Sequence, residues 1–158
     1  MRLLIVLGSG GHTKEMLRLV DLLGPGYEYG YLICADDELD AQKIKTPGAV
    51  YRVIRPRLLN ISVLTTALRT LWSAGQAISA LWHIRPQAII STGPGIAVPA
   101  CVVAKLLGIK VIYIETGSRV FALSTSGKIL SRIADLFFVQ WEELLSLYPK
   151  AIYVGRLL

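Results

Sequence analysis

Apolar residues in this chain occur in short unbroken runs that alternate with segments of helical periodicity. The runs do not alternate with polar residues, which is typical of parallel strands covered on both faces. They predict strands at residues 3–7, 29–34, 50–54, 88–91, 111–115, 136–140 and 152–154. The periodic segments predict helices at residues 14–23, 61–83, 96–107, 128–134 and 142–147. This order predicts a doubly wound, mostly parallel, Rossmann-like α/β fold.

Composition adds a bias toward apolar and anionic partners. The chain has 158 residues, of which 53% are hydrophobic and 18% charged, and its mean hydropathy is +0.52. We therefore expect one domain over residues 1–158, with some apolar surface covered by a partner or a lipid interface. The net charge of +6 permits an anionic ligand. No basic cluster is interleaved with aromatic residues, so nucleic-acid binding is not predicted.

Cysteine usage and the first residues predict the compartment. Cys34 and Cys101 lie in apolar runs without CxxC spacing, so we expect buried free thiols and neither a disulfide nor a zinc site. The first apolar run is too short for the core of a signal peptide. We expect a cytoplasmic chain without a cofactor or a bound metal.

A glycine-rich turn, GSGGHT, follows the first predicted strand. Glycines let the backbone approach a ligand closely, and the start of the next helix favours an anion. The residues expected to bind a phosphate here are Gly8, Ser9, Gly10, Gly11 and Thr13. His12 is expected either to contact the phosphate or to act as a base, and a helix-capping role is the alternative.

An NAD-type dinucleotide site is a competing interpretation of the same turn. Its GxGxxG pattern would require a third glycine at position 13, where this chain has Thr13. Asp36 follows the second predicted strand and is a candidate ligand of a ribose.

Two further loops are expected at the same edge of the sheet. STGPGIAVP at residues 91–99 would place Gly93 and Gly95 against the same anionic ligand, unless these glycines only shape a tight turn. After the fifth strand, Arg119 is expected to bind a diphosphate, and Glu115 to orient a sugar hydroxyl or His12. A Glu115–Arg119 ion pair is the alternative. Ser126 or Thr125 is expected to cap the helix that follows.

A long basic and apolar stretch at residues 55–85 is a candidate membrane contact. Arg69 lies well inside it, which argues against a transmembrane span and favours a helix at the interface. One helical face carries Ile61, Leu64, Leu68, Leu71, Gly75, Ile78 and Trp82. The residues expected to face an anionic membrane are Arg55, Arg57, Leu58, Leu59, Arg69 and Trp72. A helix packed on the sheet with ordinary solvated arginines is the alternative.

The order of motifs resembles one protein family over essentially the whole chain. The motifs are GSGGHTKEM, YLICADD, RPR at residues 55–57, STGPGIAVP, YIETGSR, LSTSGK, FFVQW and YPKAIYVGRL. They resemble the acceptor-side subunit of the two-part UDP-N-acetylglucosamine transferase that extends dolichyl-diphosphate-linked glycans, and its counterparts in bacterial exopolysaccharide biosynthesis.

The resemblance implies half of an active site. Such a chain corresponds to the N-terminal, acceptor-binding half of a GT-B glycosyltransferase, and a separate donor-binding subunit would complete it. We then expect no activity from the chain alone, a lipid-diphosphate-linked sugar as acceptor, and inverting transfer without a metal, with His12 as base or diphosphate ligand. Because the sequence begins at the first strand, attachment to the membrane would come from the folded surface or the partner. An NAD-dependent oxidoreductase and a non-catalytic membrane scaffold are the alternatives.

Overall fold

The strands of this protein form a single parallel sheet with helices on both faces. A computed structural model describes residues 1–57 and 62–157. Within them the strands are β1 (Arg2–Val6), β2 (Glu28–Cys34), β3 (Gly48–Val53), β4 (Ala88–Ser91), β5 (Lys110–Ile114), β6 (Leu136–Val139) and β7 (Ile152–Tyr153). The helices are α1 (Gly11–Leu23), α2 (Glu38–Gln42), α3 (Val63–Ile84), α4 (Ala97–Leu106) and α5 (Thr125–Ile133), with 3-10 turns at Gly24–Gly26 and Glu142–Ser146. The spatial order of the strands is β3-β2-β1-β4-β5-β6-β7, and every pairing is parallel.

Successive residues of each inner strand enter two different cores. In β1, Leu4 points into a core shared with α3, α4 and α5, whereas Leu3 and Ile5 point into a core shared with α1. Because both faces of the strand are covered, polar residues have no place in it. The unbroken apolar runs of the sequence are thereby explained, and the predicted fold class is confirmed.

Element boundaries differ from the prediction mainly at helix ends. α1 begins at Gly11 rather than residue 14, because Gly10 adopts a positive φ of 63° and ends the turn early. α5 begins at Thr125, and its N-cap is Ser124, whose hydroxyl accepts a hydrogen bond from the Gly127 N–H. The expected cap at Thr125 or Ser126 was therefore wrong by one or two residues. α2 was not predicted, because one short turn carries too little periodicity.

The ends of β1 and β4 meet where the direction of sheet winding reverses. The chain leaves β1 toward β2 and β3 on one side, and β4 pairs with the other side of β1. A Cβ atom at Gly8 would lie 2.5 Å from Cβ of Pro94, so the turns after these two strands are in direct contact. In open α/β sheets, ligands bind in the crevice at this topological switch point.

Helix α3 buries a narrow strip and exposes its apolar face. Its buried residues are the small Ser73, Ala77 and Ala80, together with Leu81. The face that the periodicity singled out is exposed at Leu64, Leu68, Leu71, Gly75, Ile78 and Trp82. Leu58, Leu59 and Ile61, which belong to the same prediction, lie outside the described residues. None of the described helices combines the length and apolar character needed to cross a bilayer.

Candidate functional site

A cleft of about 410 Å³ opens at the carboxyl edge of the sheet. It lies between the first turns of α1, the loop after β5, the end of β6 and the segment after β7. The residues that line it are Gly11, His12, Glu15, Thr116, Gly117, Ser118, Gln140 and Arg156. Polar groups from sequence positions more than 140 residues apart are therefore brought to one place by the parallel strands.

His12 lies in the first turn of α1, partly buried, at the wall of this cleft. Its Nδ1 is 3.0 Å from Oγ1 of Thr92, which follows β4. The Thr92 hydroxyl is placed to donate to the carbonyl oxygen of His12 at 3.5 Å. The oxygen of the Thr92 hydroxyl can then accept a hydrogen bond from Nδ1–H. Burial lowers the pKa of His12 below 6.5, against the opposing effects of the Glu15 carboxylate and a hydrogen bond with Thr92. Burial thus favours the neutral ring, and when Nδ1 donates to Thr92 the proton acceptor is Nε2.

Two glycines, one in each of the facing turns after β1 and β4, take left-handed conformations. Gly10 takes a left-handed conformation as N-cap, and no side chain caps the first turn of α1. Gly93 in the facing turn has a φ of 85°, and a Cβ there would lie 3.0 Å from the Tyr113 ring. Free backbone N–H groups at a helix start favour an anion.

The structure contradicts the predicted contact of the Thr13 side chain with a phosphate. This side chain is fully buried, and the hydroxyl is within hydrogen-bond distance of the Gly8 carbonyl oxygen and of Oδ2 of Asp40. The hydroxyl therefore ties the turn to α2 and is not presented to the cleft.

Arg55 contacts the glycine-rich turn directly. Its Nη2 lies 3.2 Å from Oγ of Ser9, and its Nε lies 3.2 Å from Oδ2 of Asp36. Nε of Arg69, on α3, donates to the carbonyl oxygen of Arg55 at 3.0 Å. Two arginines expected at a membrane are thus also part of the support around the turn. The Asp36 carboxylate, the candidate ribose ligand, is engaged in an ion pair.

Glu115 is fully buried and is not among the residues that line the cleft. Its carboxylate accepts hydrogen bonds from the Ser124 N–H at 3.1 Å, the Ser124 hydroxyl at 3.3 Å and the Thr116 N–H at 3.2 Å. Burial raises the pKa of Glu115, and the hydrogen bonds of Tyr113, Ser124 and Thr116 partly offset this. These contacts correct the expectation that Glu115 orients His12, because its side chain fixes the start of α5 instead.

Arg119 is exposed and does not line the cleft, whereas Arg156 does. The described residues contain no ion pair between Arg119 and Glu115. The guanidinium of Arg156 lies 4.2 Å from the centre of the Trp141 ring. Nε1 of Trp141 in turn donates to the carbonyl oxygen of Gly117 at 2.7 Å. Arg156 was missed by the sequence analysis, because its place depends on where the segment after β7 turns.

Glu15 and Gln140 are two further polar residues that the sequence analysis missed. Gln140 Nε2 donates to Oε1 of Glu15 at 3.0 Å, and Gln140 Oε1 accepts from the N–H of Leu157 at 2.8 Å. The signal available for Glu15 was a carboxylate directly before Met16, among the residues of α1 that are buried. The described residues hold no cluster of three or more His, Cys, Asp or Glu side chains suited to a metal ion.

Comparison with known families identifies the chain at the level of family. The profile described as "Oligosaccharide biosynthesis protein Alg14 like" matches residues 3–157. The chain belongs to the Alg14 family. It is 40% identical over 177 residues to the UDP-N-acetylglucosamine transferase subunit ALG14 of Rattus norvegicus, which covers 98% of this chain and 82% of that protein. The subunit of the same name from Schizosaccharomyces pombe is 37% identical over 171 residues, covering 97% and 81%.

Solved structures share the fold of this Alg14 family member. The crystal structure of Acinetobacter baumannii MurG matches it with a TM-score of 0.77 at 17% sequence identity. The match covers 97% of this chain but 45% of MurG, so the chain spans less than half the length of that protein. The family resemblance drawn from the motifs and the expected fold are both confirmed.

Proposed function

We propose that this chain, as a single Rossmann-like domain, is the acceptor-binding subunit of a UDP-sugar glycosyltransferase. The donor would be UDP-N-acetylglucosamine and the acceptor a lipid-diphosphate-linked sugar at the cytoplasmic face of a membrane. The observation that carries the proposal is a cleft lined by His12 at the carboxyl edge of the sheet in an Alg14-family chain. Family members with 37% and 40% identity are named as subunits of that transferase.

Recognition of the diphosphate is assigned to the two contacting turns and their cations. The uncapped start of α1 offers backbone N–H groups, and the glycines Gly8, Gly10, Gly11, Gly93 and Gly95 keep side chains out of the way. Arg55 lies beside this turn and Arg156 beside the cleft. An arginine binds a phosphate through paired N–H donors. Arg119 is exposed on the neighbouring loop and does not line the cleft, whereas Arg55 contacts the glycine-rich turn, so we rank Arg119 below Arg55.

The proposed chemistry is proton removal from an attacking hydroxyl. Oxygen of the acceptor hydroxyl bonds to the anomeric carbon of the donor, and the bond from that carbon to the UDP oxygen breaks with its electron pair. The hydroxyl proton passes to Nε2 of His12, whose other nitrogen is held by Thr92. Burial lowers the pKa of His12, which favours the unprotonated ring that this step requires.

The proposal includes a donor-binding partner subunit, and an apolar groove provides a surface for it. On the α1 side of the sheet, a second cavity of about 410 Å³ is lined mainly by apolar side chains from α1, β4, β5, β6 and the segment after β7. Among them, Leu22, Leu136 and Val154 are exposed. Apolar surface of this kind is typical of a subunit interface. Without that subunit, we expect the chain to bind acceptor but not to transfer sugar.

The proposed membrane contact is the exposed face of α3. Leu68 and Trp72 have 60% and 66% of their surface exposed, and Arg57 is exposed before the helix. An apolar helix face next to basic residues is typical of binding to anionic lipid. A surface that binds lipid would keep the acceptor's head group near the cleft.

Reconstitution tests the proposed function. The tagged chain is purified alone and together with the UDP-sugar-binding protein that accompanies it, and each sample receives radiolabelled UDP-N-acetylglucosamine and a lipid-diphosphate-linked N-acetylglucosamine. We expect labelled lipid product only from the two-protein sample. Turnover by the chain alone would contradict the division between two subunits. Absence of turnover in a two-protein sample that binds the donor would contradict the acceptor role.

A further inference from the structure

Glu15 is a buried carboxylate whose contacts converge on one oxygen. Only 3% of the residue is exposed. Oε1 accepts hydrogen bonds from the Gly117 N–H at 2.6 Å, the Gln140 amide at 3.0 Å and the Thr116 hydroxyl at 3.2 Å. Oε2 is buried and has no hydrogen-bond partner in the described structure. Burying a carboxylate carries a desolvation cost, and neutral donors compensate it only in part.

The nearest functional group on the same helix is His12. Residues three apart on an α-helix lie on the same face, and both His12 and Glu15 line the cleft. The charged residues that line it are Glu15 and Arg156, whereas the loop after β5 contributes the uncharged Thr116, Gly117 and Ser118. From the β4 side, His12 meets the hydroxyl of Thr92. Glu15 is therefore the one negative charge among the cleft-lining residues that the structure describes.

We propose that Glu15 is a positioning residue that stabilises the imidazolium of His12 when His12 accepts the acceptor proton. The role rests on the proposed function, since it deepens the part assigned to His12. In this role Glu15 does not touch the substrate and acts through the His12 ring, three residues earlier in α1. Three donors at Oε1 hold the carboxylate in one orientation, so its field at His12 is present before the reaction begins.

Electrostatics gives the direction of the effect. Burial lowers the pKa of His12, and the Glu15 charge raises it, so the two act against each other. Without Glu15, a base in this partly buried site would be weaker. A purely structural Glu15 would instead hold residues 116–117 in place and leave the titration of His12 unchanged.

The test is a histidine titration of the full chain by NMR, which does not depend on enzymatic activity. The chain contains two histidines, so His83→Gln assigns the resonances. We expect Glu15→Gln, which keeps the shape and an oxygen acceptor, to lower the pKa of His12 by about 0.5 to 1 unit. Asp21→Asn, which removes an exposed charge further along α1, serves as the matched control and should leave it unchanged.

An unchanged His12 pKa in folded Glu15→Gln would overturn the inference. Should that variant not fold, Glu15→Asp replaces it. Its carboxylate is shorter by one methylene, so we expect it to lower the pKa of His12 in the same direction but by less than Glu15→Gln. A His12 pKa equal to or above the wild-type value in folded Glu15→Asp would also overturn it. In the two-subunit enzyme, the acid limb of the kcat profile should move to lower pH with the His12 pKa. A pKa change without any effect of His12→Ala on turnover would reject the proposed base and leave the electrostatic coupling standing.

Discussion

The Arg55 guanidinium lies 3.2 Å from the hydroxyl oxygen of Ser9, so a residue that follows β3 contacts the turn that follows β1. Arg57, two residues later, is exposed. Under the proposed function, this contact assigns Arg55 to the acceptor's diphosphate and leaves Arg57 for the membrane.

The first prediction separates these tasks. Arg55→Ala should raise the acceptor KM about tenfold or more, because it removes a charge-assisted contact to phosphate. Arg57→Ala should leave KM unchanged and weaken binding to anionic vesicles about fivefold, since one arginine near a lipid surface contributes about 1 kcal/mol. Vesicle sedimentation and acceptor kinetics measure the two effects. Equal effects of both variants in both assays would contradict the division.

The second prediction concerns His12. In the two-subunit enzyme, His12→Ala should reduce kcat by about 10² to 10⁴ if His12 is the base, which is the usual contribution of general base catalysis. The exposed His83 on α3 offers a matched control, and His83→Ala should have wild-type turnover. A rise confined to the acceptor KM would make His12 a phosphate ligand instead. Wild-type kinetics with a lowered Tm would mean that His12 only holds the start of α1 to the turn after β4 through Thr92.

The third prediction tests the exposed face of α3. Leu68→Gln with Trp72→Ser should reduce binding to vesicles more than tenfold, because about 1.5 to 3 kcal/mol is associated with each large apolar side chain that leaves water. The Tm should be unchanged, as both side chains are largely exposed. Leu39→Gln, an exposed leucine on α2, is the control. Vesicle binding by the double variant at the wild-type level would show that this face does not contact lipid.

The fourth prediction concerns the apolar groove beside α1. Leu22→Glu and Val154→Glu should each weaken association with the donor-binding subunit by about tenfold or more, because a charge would be buried in the interface. Both side chains are exposed in the chain by itself, so its folding should be unaffected. Analytical ultracentrifugation of the two proteins measures the association, with Leu39→Glu as control. Undiminished association would place the partner elsewhere.

The fifth prediction follows from the raised pKa of Glu115. A folded-state pKa above the ordinary value of 4.5 means that the neutral form is favoured in the folded protein. The contribution of Glu115 to stability is full below pH 4.5 and is lost as the pH rises through the raised value. Glu115→Gln should lack this loss. The stability of Glu115→Gln relative to wild type, measured as the free energy of unfolding, should therefore increase from pH 4 to pH 7. Urea unfolding at both pH values measures the difference. A difference that does not depend on pH would mean that the pKa of Glu115 is ordinary.

Much of the fold follows from local patterns. The strands of the inner sheet are identifiable because continuous apolar runs are needed wherever both faces are covered, as in β1 and β4. The glycine-rich turns are identifiable because positions such as Gly10 and Gly93 require a positive φ. Four of the five predicted helices are present as α1, α3, α4 and α5, and the fifth, at residues 142–147, is a 3-10 turn at Glu142–Ser146. The helix starts differ from the prediction, since α1 gains its first turn from the conformation of Gly10 and α5 from the cap at Ser124.

Tertiary structure decided which polar residues belong together. Glu15 meets Thr116, Gly117 and Gln140 across sequence separations of 101, 102 and 125 residues. No local pattern encodes such a meeting, because it depends on strand order and on where each loop leaves the sheet. The same applies to Glu115. Its position after β5 predicts the correct edge of the sheet, but its hydrogen bonds to Ser124 depend on how the loop before α5 packs.

By itself, the sequence determined the parallel sheet, the two glycine turns, the place of His12 and the family, since each depends on residue order and local conformation. Which face of α3 is exposed was decided by the sheet and α4, because they bury the small residues around Ala77 and leave the larger apolar face outside. Because β2 pairs with both β1 and β3, Arg55, which follows β3, lies close to the turn that follows β1. Hydrophobic periodicity specifies that a helix or strand packs against a core. Only the assembled sheet specifies which elements it packs against, because those neighbours are distant in the chain.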